Sequence, residues 1–234
     1  MSSPSSPASA DGLRPFLVIP AGGRGVRMGG GVPKQFRDWD GRPLLQATVE
    51  AFLAKGMPTL AGIALAVPES HLAEAQSWAF GVPCVVVIGG DTRQQSVLAA
   101  LQALPLQPLA PVMIHDAVRP FPPPGPLRAA LAALAHCDGA LLGEPSTDTL
   151  KRVDARGRVL GTEPRDVLFR AQTPQIASLG TWLRAFAAAE ADGFTGTDDV
   201  ALLERLGLSV QLIESPSTNL KLTTPEDWER ARPR

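Results

Sequence analysis

Short apolar runs rich in branched residues alternate along this chain with longer segments of helical periodicity. Six runs are predicted to be strands, at residues 16–19, 62–67, 84–88, 112–115, 140–143 and 209–213. Seven segments are predicted to be helices, at residues 44–55, 72–79, 93–104, 126–135, 179–191, 198–206 and 225–232. Such alternation is typical of an α/β fold in which a largely parallel sheet carries helices on both faces. Ligands of such folds bind beyond the carboxyl ends of the strands.

The chain has 234 residues, enough for one sizeable domain, which we assign to residues 15–234. Residues 1–14 are rich in Ser, Pro and Ala and are predicted to be a disordered tail. The sequence has no secretory signal pattern and no apolar run near the ~20 residues of a membrane span, so we expect a cytoplasmic protein. A net charge of −1 provides no general attraction for nucleic acid. Cys84 and Cys137 lack metal-ligand spacing and are interpreted as reduced thiols.

The segment after the first predicted strand is rich in glycine and purely cationic. Six glycines lie between Gly22 and Gly31. Its charged residues, from position 21 to 37, are Arg24, Arg27, Lys34 and Arg37. Glycine lets backbone N–H groups approach an anion closely. The segment lacks the Gly-Lys pair of a P-loop, and Met28 replaces the third glycine of the dinucleotide fingerprint. We therefore predict a phosphate-binding loop, with a mobile glycine loop carrying incidental arginines as the alternative.

Two more polar clusters follow predicted strands. After the third strand, Gly90 and Asp91 open a helix and Ser96 lies in its first turns, where backbone N–H groups favour electron-rich ligand atoms. A simple helix cap is the alternative interpretation of this turn. After the fourth strand, Asp116 could help to hold Mg²⁺ on a polyphosphate, and Arg119 could pair with phosphate. The alternative is a plain ion pair between Asp116 and Arg119.

Lysine is scarce in this chain, and its positions are therefore informative. The 22 basic residues comprise 18 arginines and four lysines, namely Lys34, Lys55, Lys151 and Lys221. A compact ammonium group acts on a phosphate oxygen as a point charge, which a guanidinium does not reproduce.

Residues 149–160 form a predicted hairpin with a turn at 154–157. Because a two-stranded ribbon is marginally stable alone, we expect it to pack on another surface, for which a partner subunit is a natural candidate.

Seven segments, taken in order, carry a resemblance to a known family. PAGGRGVRMGGGVPKQF, GGDTRQQSV, HDAVRP, DTLKR, AQTPQ, TDD and NLKLTTPEDW resemble the 2-C-methyl-D-erythritol 4-phosphate cytidylyltransferases of the non-mevalonate isoprenoid pathway. The resemblance covers about residues 16–228. It implies a Rossmann-like nucleotidyltransferase fold, CTP as the donor, Mg²⁺, and a homodimer clasped by a β-arm at 147–172. The implied reaction transfers CMP from CTP to 2-C-methyl-D-erythritol 4-phosphate and releases pyrophosphate.

The resemblance also implies roles for individual residues. Arg27 and Lys34 match a pair that stabilises the transition state, and Arg165 and Lys221 match a pair that positions the acceptor phosphate. Positions around the nucleotide are matched by Ala21, Gly22, Gly23, Gly25, Gly90, Asp91, Ser96 and Asp116. The acceptor pocket is matched by Arg119, Thr149, Arg165, Thr173, Thr197 and Lys221. Asp116 is the candidate Mg²⁺ ligand, directly or through water.

The implied chemistry agrees with the residues that the chain has and lacks. A phosphate monoester with a second pKa of about 6 is mostly dianionic at neutral pH and attacks without a general base. The lack of a recognisable Ser-His-Asp triad fits this reaction. The chain departs from the family at Gly22, where alanine is more frequent, and at Asp199, where glutamate is usual.

Two alternatives remain open at this point. A ribitol 5-phosphate cytidylyltransferase, or another sugar-phosphate nucleotidyltransferase, would have similar loops. A non-catalytic nucleotide sensor would keep the glycine loop but would not need Arg27, Lys34, Arg165 and Lys221 together.

Overall fold

The structure is a computed structural model that describes residues 13–23 and 31–231. Its strands are β1 (Phe16–Pro20), β2 (Asp38–Trp39), β3 (Arg42–Pro43), β4 (Gly62–Val67), β5 (Cys84–Ile88), β6 (Pro111–Ile114), β7 (Gly139–Pro145), β8 (Lys151–Val153), β9 (Val159–Thr162), β10 (Phe169–Ser178) and β11 (Val210–Glu214). Its α-helices are α1 (Leu44–Leu53), α2 (Leu72–Gln76), α3 (Arg93–Gln102), α4 (Pro124–Ala133), α5 (Leu179–Ala191), α6 (Val200–Arg205) and α7 (Pro225–Ala231).

In the described part of the chain, seven strands form one sheet in the order β11-β7-β10-β6-β1-β4-β5. Strand β1 pairs in parallel with β4 and β6, β4 with β5, and β7 with β11. The predicted α/β class with a mostly parallel sheet is confirmed. All six predicted strands and all seven predicted helices are present, with ends shifted by a few residues.

Strand β10 is the main element that the alternation of strands and helices did not predict as part of the sheet. It runs antiparallel between β6 and β7. The sequence of this segment is compatible with an extended conformation, but Pro174 and the polar residues around it argue against a central strand. The pairing with β7 shifts register between Ala171 and Gln175, so that Pro174 lies in an irregular part of the ladder.

The central strands are buried on both faces, which explains why they read as continuous apolar runs. In β1, Phe16 and Val18 pack into one core cluster, with Trp182 of α5. Leu17 and Ile19 point the other way and pack into a second cluster, with Phe52 of α1. The alternation of side chains across a strand thus divides one apolar run between two helix layers.

The predicted hairpin is present as β8 and β9, which form their own two-stranded ribbon. Asp154 closes its turn, because its Oδ1 accepts hydrogen bonds from the N–H groups of Arg156 and Arg158, both at 2.9 Å. Gly157 has φ +78°, which favours glycine at that turn position. The segment predicted as the β-arm, 147–172, includes residues from Phe169 onward that pair with β7 in the main sheet. In the described ranges, no helix is both long and apolar enough to cross a membrane.

Candidate functional site

A cavity of about 170 Å³ lies at the carboxyl-end edge of the sheet. The pairing of Val18 with Ile114 places the ends of β1 and β6 side by side, so the segments that follow them share this edge. The residues that matter for its chemistry are Gly22, Gly23, Lys34, Arg93, Asp116 and Lys221, all of which line it. The cavity therefore brings together residues from four distant parts of the chain.

A larger cavity of about 520 Å³ lies at the other edge, beside the first residues of β1, β4 and β5. Phe16, Gly62 and Cys84 line it. Burial raises the pKa of the Cys84 thiol to about 11, so this cysteine stays protonated and unreactive at neutral pH. Since the sequence motifs converge on the smaller cavity, we assign the chemistry to that one.

The start of the glycine loop is held by Gln35, which the sequence analysis did not single out. The Gln35 side-chain amide donates to the carbonyl oxygens of Ala21 at 2.6 Å and Gly23 at 2.9 Å. A Cβ on Gly22 would lie 2.7 Å from Ser96 Oγ, because the loop packs directly against Ser96 and Gly89. Gly22 therefore permits a close approach between the loop and the first turns of α3.

The turn before α3 is built by a capping box. Thr92 Oγ1 accepts from the Gln95 N–H at 3.1 Å, and the Gln95 side chain accepts from the Thr92 N–H at 3.0 Å. The N-cap residue of α3 is Thr92 and not Asp91. The helix cap that the sequence analysis gave as an alternative interpretation of this turn is therefore present at Thr92. Ser96 is buried and donates to the carbonyl oxygens of Thr92 or Gly90, which fixes the wall of the cavity. A Cβ on Gly90 would collide with the Gln95 side chain.

Asp116 is surrounded by three cations. Its Oδ2 lies 2.9 Å from Lys221 Nζ and 3.3 Å from Arg119 Nε, and its Oδ1 lies 3.4 Å from a terminal nitrogen of Arg93. Burial alone would raise the pKa of Asp116, but the charges of Arg93, Lys221 and Arg119 hold that pKa well below its usual range. The carboxylate is therefore ionised at all pH values of biological interest.

The backbone around Asp116 is fixed by a buried chain of hydrogen bonds. His115 Nε2 lies 2.9 Å from the Arg119 carbonyl oxygen, which only accepts, so Nε2 carries the proton. Nδ1 then accepts from the Thr173 hydroxyl at 3.1 Å, and Thr173 Oγ1 accepts from the Asp116 N–H at 3.0 Å. Burial lowers the pKa of His115 to about 4. His115 is thus a neutral structural residue.

Arg93 is a further site residue that the sequence analysis missed, and its partner is Asp199, which the sequence analysis noted as a departure from the family. The two terminal nitrogens of Arg93 contact the two oxygens of Asp199, each at 2.8 Å. Both residues lie within segments that carry the family resemblance, GGDTRQQSV and TDD. Nothing in the sequence pairs them across 106 positions, so only the three-dimensional structure identifies the contact.

Most of the predicted site residues fall into four groups. Lys34, Lys221, Asp116, Gly22, Gly23 and Ser96 line the cavity. Arg119 and Thr173 are buried beside it: Arg119 donates to the Asn219 carbonyl oxygen at 2.7 Å and contacts Asp116, and Thr173 bonds to the backbone of Asp116. Thr149, Arg165 and Thr197 are exposed and do not line it. Arg27 and Gly25 lie outside the described residues.

The side chains at the cavity do not form a metal site by themselves. Among the residues that the structure describes, no group of three or more His, Cys, Asp or Glu side chains is arranged to hold a metal ion. Both oxygens of Asp116 already contact cationic side chains. A metal ion at Asp116 would therefore share the carboxylate with these cations, either by direct contact or through a water molecule.

Comparison with protein families gives one clear match. A sequence model of the 2-C-methyl-D-erythritol 4-phosphate cytidylyltransferase family matches residues 16–233. The chain is 44% identical over 220 residues to a protein of that name from Xylella fastidiosa, covering 92% of this chain and 94% of the relative. It is 38% identical over 231 residues to one from Acidobacterium capsulatum, covering 94% and 96%.

Solved structures give the same result. A 4-diphosphocytidyl-2C-methyl-D-erythritol synthase from Anaerococcus prevotii superposes with a TM-score of 0.79 at 26% identity, covering 94% of this chain and 97% of that one. A 2-C-methyl-D-erythritol 4-phosphate cytidylyltransferase from Thermus thermophilus superposes with a TM-score of 0.72 at 31% identity, covering 92% and 95%.

Proposed function

The chain belongs to the 2-C-methyl-D-erythritol 4-phosphate cytidylyltransferase family, and from this premise we propose how its residues carry out the reaction. It is a nucleotidyltransferase that transfers CMP from CTP to 2-C-methyl-D-erythritol 4-phosphate. The products are 4-diphosphocytidyl-2-C-methyl-D-erythritol and pyrophosphate. The observation that carries the proposed residue roles is the convergence of Lys34, Lys221 and the glycine loop on one cavity.

The acceptor's phosphate oxygen attacks the α-phosphorus of CTP, forming one P–O bond while the bond to the leaving pyrophosphate breaks. The acceptor phosphate is mostly dianionic at neutral pH and needs no general base. His115, which is buried and neutral, has no part in proton transfer. The obstacle is repulsion between two polyanions, which positioned cations reduce.

Each cation has its own part in this proposal. Lys34 lies beside the glycine loop and stabilises charge on the α-phosphate and the leaving pyrophosphate, together with Arg27. Backbone N–H groups of the loop cradle the triphosphate. Lys221 contacts the same Asp116 oxygen as Arg119, but its side chain is 44% exposed where that of Arg119 is 10% exposed, and Lys221 receives the acceptor phosphate. Arg119 and Thr173 hold Asp116 in place. Thr197 is exposed outside the cavity, and the proposed contact with the acceptor would be made there.

Mg²⁺ enters the proposal as an ion that CTP brings to the site. Phosphate oxygens of a nucleotide are preferred Mg²⁺ ligands, and the ion neutralises charge on the triphosphate. Asp116 would help to hold this ion, directly or through a water molecule. We place the reaction in the cytoplasm, where CTP is available and thiols such as Cys84 and Cys137 stay reduced.

We expect Lys221→Ala to raise the KM for methylerythritol phosphate about 10- to 100-fold, the value of one hydrogen bond to a charged group. The KM for CTP should change far less, because Lys34 and the loop bind the nucleotide. Steady-state kinetics with each substrate varied in turn measures both values. The reverse pattern would move Lys221 to the nucleotide subsite.

The proposed homodimer would use the β-arm. Apolar side chains on the ribbon and at its base are exposed: Val153 by 50%, Val159 by 63%, Leu160 by 61% and Val167 by 73%. Burial of this surface in a partner would remove apolar area from water. Arg165 lies at the base of the ribbon and outside the cavity of its own subunit, so we propose that it reaches the partner's acceptor phosphate.

Replacement of both Val159 and Leu160 by aspartate should convert the protein to monomers, because charges would be placed in the proposed interface. Sedimentation velocity measures the mass. Leu106→Asp is the matched control, since Leu106 is 78% exposed but lies in the loop between α3 and β6, away from the arm. A monomeric parent protein, or a dimer that survives both aspartates, would exclude the arm as the interface.

A two-acceptor assay tests the function itself. Pure protein, CTP and Mg²⁺ are incubated with methylerythritol phosphate or ribitol 5-phosphate, and pyrophosphate release is followed. We expect efficient release with methylerythritol phosphate and loss of release when EDTA is added. Preference for ribitol 5-phosphate would favour the alternative acceptor, release undiminished by EDTA would remove Mg²⁺ from the proposal, and no release with either acceptor would indicate a nucleotide sensor.

A further inference from the structure

The loop before α6 is fastened to the first turn of α3 by two neighbouring side chains. Gln94 donates to the Phe194 carbonyl oxygen at 3.0 Å and accepts from the Gly196 N–H at 3.1 Å. Arg93 donates two parallel hydrogen bonds to the Asp199 carboxylate. The two side chains bind the same loop, but Arg93 alone of this pair also contacts Asp116, at 3.4 Å.

Asp199 is itself held from behind by β10. It is only 2% exposed, and its backbone N–H donates to Gln175 Oε1 at 2.9 Å. The same oxygen accepts from the Val200 N–H, and the Gln175 amide nitrogen donates to Asp198 at 2.8 Å. Asp199 therefore has a fixed position relative to the sheet. Because the two hydrogen bonds from Arg93 are parallel, that position also fixes the plane of the guanidinium.

We propose that Arg93 is a positioning residue for binding of the acceptor phosphate. Asp199 fixes the orientation of the Arg93 side chain, Arg93 fixes the Asp116 carboxylate, and Asp116 fixes the position of Lys221 Nζ. The inference rests on the proposed role of Lys221 as the acceptor-phosphate ligand. It adds a chain of contacts, Gln175 to Asp199 to Arg93 to Asp116 to Lys221, which begins on β10 and ends in the cavity.

The charge balance separates this role from direct phosphate binding. Asp199 neutralises the positive charge of Arg93, whereas Lys221 contacts the carboxylate of Asp116, which it shares with Arg93 and Arg119. A lysine at position 93 would keep a positive charge but has a single nitrogen, so it could not hold Asp199 with two parallel bonds and reach Asp116 as well. Geometry, and not charge alone, is thus what Arg93 contributes.

The test compares Arg93→Lys and Asp199→Asn with Gln94→Ala as the matched control. The control removes the hydrogen bonds of Gln94 to Phe194 and Gly196 in the same loop, and Gln94 has no described contact with Asp116. We expect both test variants to lower kcat/KM for methylerythritol phosphate about 10- to 100-fold, the scale of a misplaced reacting group. The KM for CTP should stay within about threefold, and the control should leave the acceptor parameters within about threefold.

The double variant Arg93→Lys/Asp199→Asn should lose no more than either single variant, because all three break one chain of contacts. Thermal unfolding identifies any variant that fails to fold. Should Asp199→Asn unfold, Arg93→Lys decides alone, since its side chain is 38% exposed. Three outcomes overturn the proposal: unchanged acceptor kinetics, a selective rise in the KM for CTP, or an equal loss in Gln94→Ala. A parent protein inactive on methylerythritol phosphate would instead refute the proposed function.

Discussion

Lys34→Ala should lower kcat for cytidylyl transfer by about 10²- to 10³-fold, the cost of losing a positioned group that acts on charge developing in the transition state. The site supports so large an effect because Lys34 lines the same cavity as the glycine loop and Asp116. An ammonium group there meets negative charge that increases as pyrophosphate leaves. The KM for either substrate should change less than kcat, since the interaction is strongest in the transition state.

Single-turnover and steady-state kinetics measure this effect. Lys55→Ala is the matched control, because Lys55 is an exposed lysine outside the cavity and its removal changes the net charge equally. The fold should survive in both variants: the short turn Lys34–Phe36 buries Gln35 and Phe36, and Lys34 is only partly buried. Near-normal turnover of Lys34→Ala would refute the assigned role.

The sequence predicted the architecture well because that architecture depends on local patterns. Short continuous apolar runs such as Phe16 to Ile19 favour strands covered on both faces, and the structure confirms this one as a buried strand. The glycine-rich segment could be placed at a strand's carboxyl end from its position alone. Lys34 and Lys221 were found partly because lysine is scarce, a signal that needs no knowledge of the fold.

The contacts that the sequence did not reveal are those between polar side chains distant in the chain. No local pattern shows which residues Gln35, Arg93 and Asp199 contact, since glutamine, arginine and aspartate are common on surfaces. Their roles arise only when α3, β10 and the loop before α6 meet. Strand β10 was missed as a sheet member for a related reason: its tertiary position overrides a sequence that includes Pro174.

Two residues expected in the acceptor pocket have a different immediate environment. The Thr173 hydroxyl points inward to His115 and to the Asp116 N–H. Arg119 contacts Asp116 and the Asn219 carbonyl oxygen. A motif does not distinguish a side chain that binds the substrate from one that supports its neighbour. Their direct contact with the acceptor remains a prediction.

Asp116→Asn should lower the free energy of unfolding by about 3 kcal/mol, because removing one member of a buried charge cluster leaves its partners uncompensated. Most of the lost stability comes from Arg119, because its side chain is 10% exposed and its charge would stay buried without a counter-ion. Lys221 is 44% exposed and can be hydrated instead. The depressed pKa means that the stabilisation by Asp116 is complete above the carboxyl's ordinary pKa of 3.8 and is lost as the pH falls. Urea unfolding at pH 7 therefore measures its full value.

The same change should make the cavity a better site for small anions. Arg93 and Lys221 would then line it, with Arg119 buried beside it, and none of the three would have the central carboxylate as a counter-ion. Inorganic phosphate should therefore raise the unfolding midpoint of Asp116→Asn more than that of the parent. Asp192→Asn is the control: Asp192 pairs with Arg205 at 2.8 Å but is 51% exposed, and such a surface pair contributes at most about 1 kcal/mol. If Asp116→Asn were as stable as this control and no more responsive to phosphate, Asp116 would not be the counter-ion that holds the three cations together.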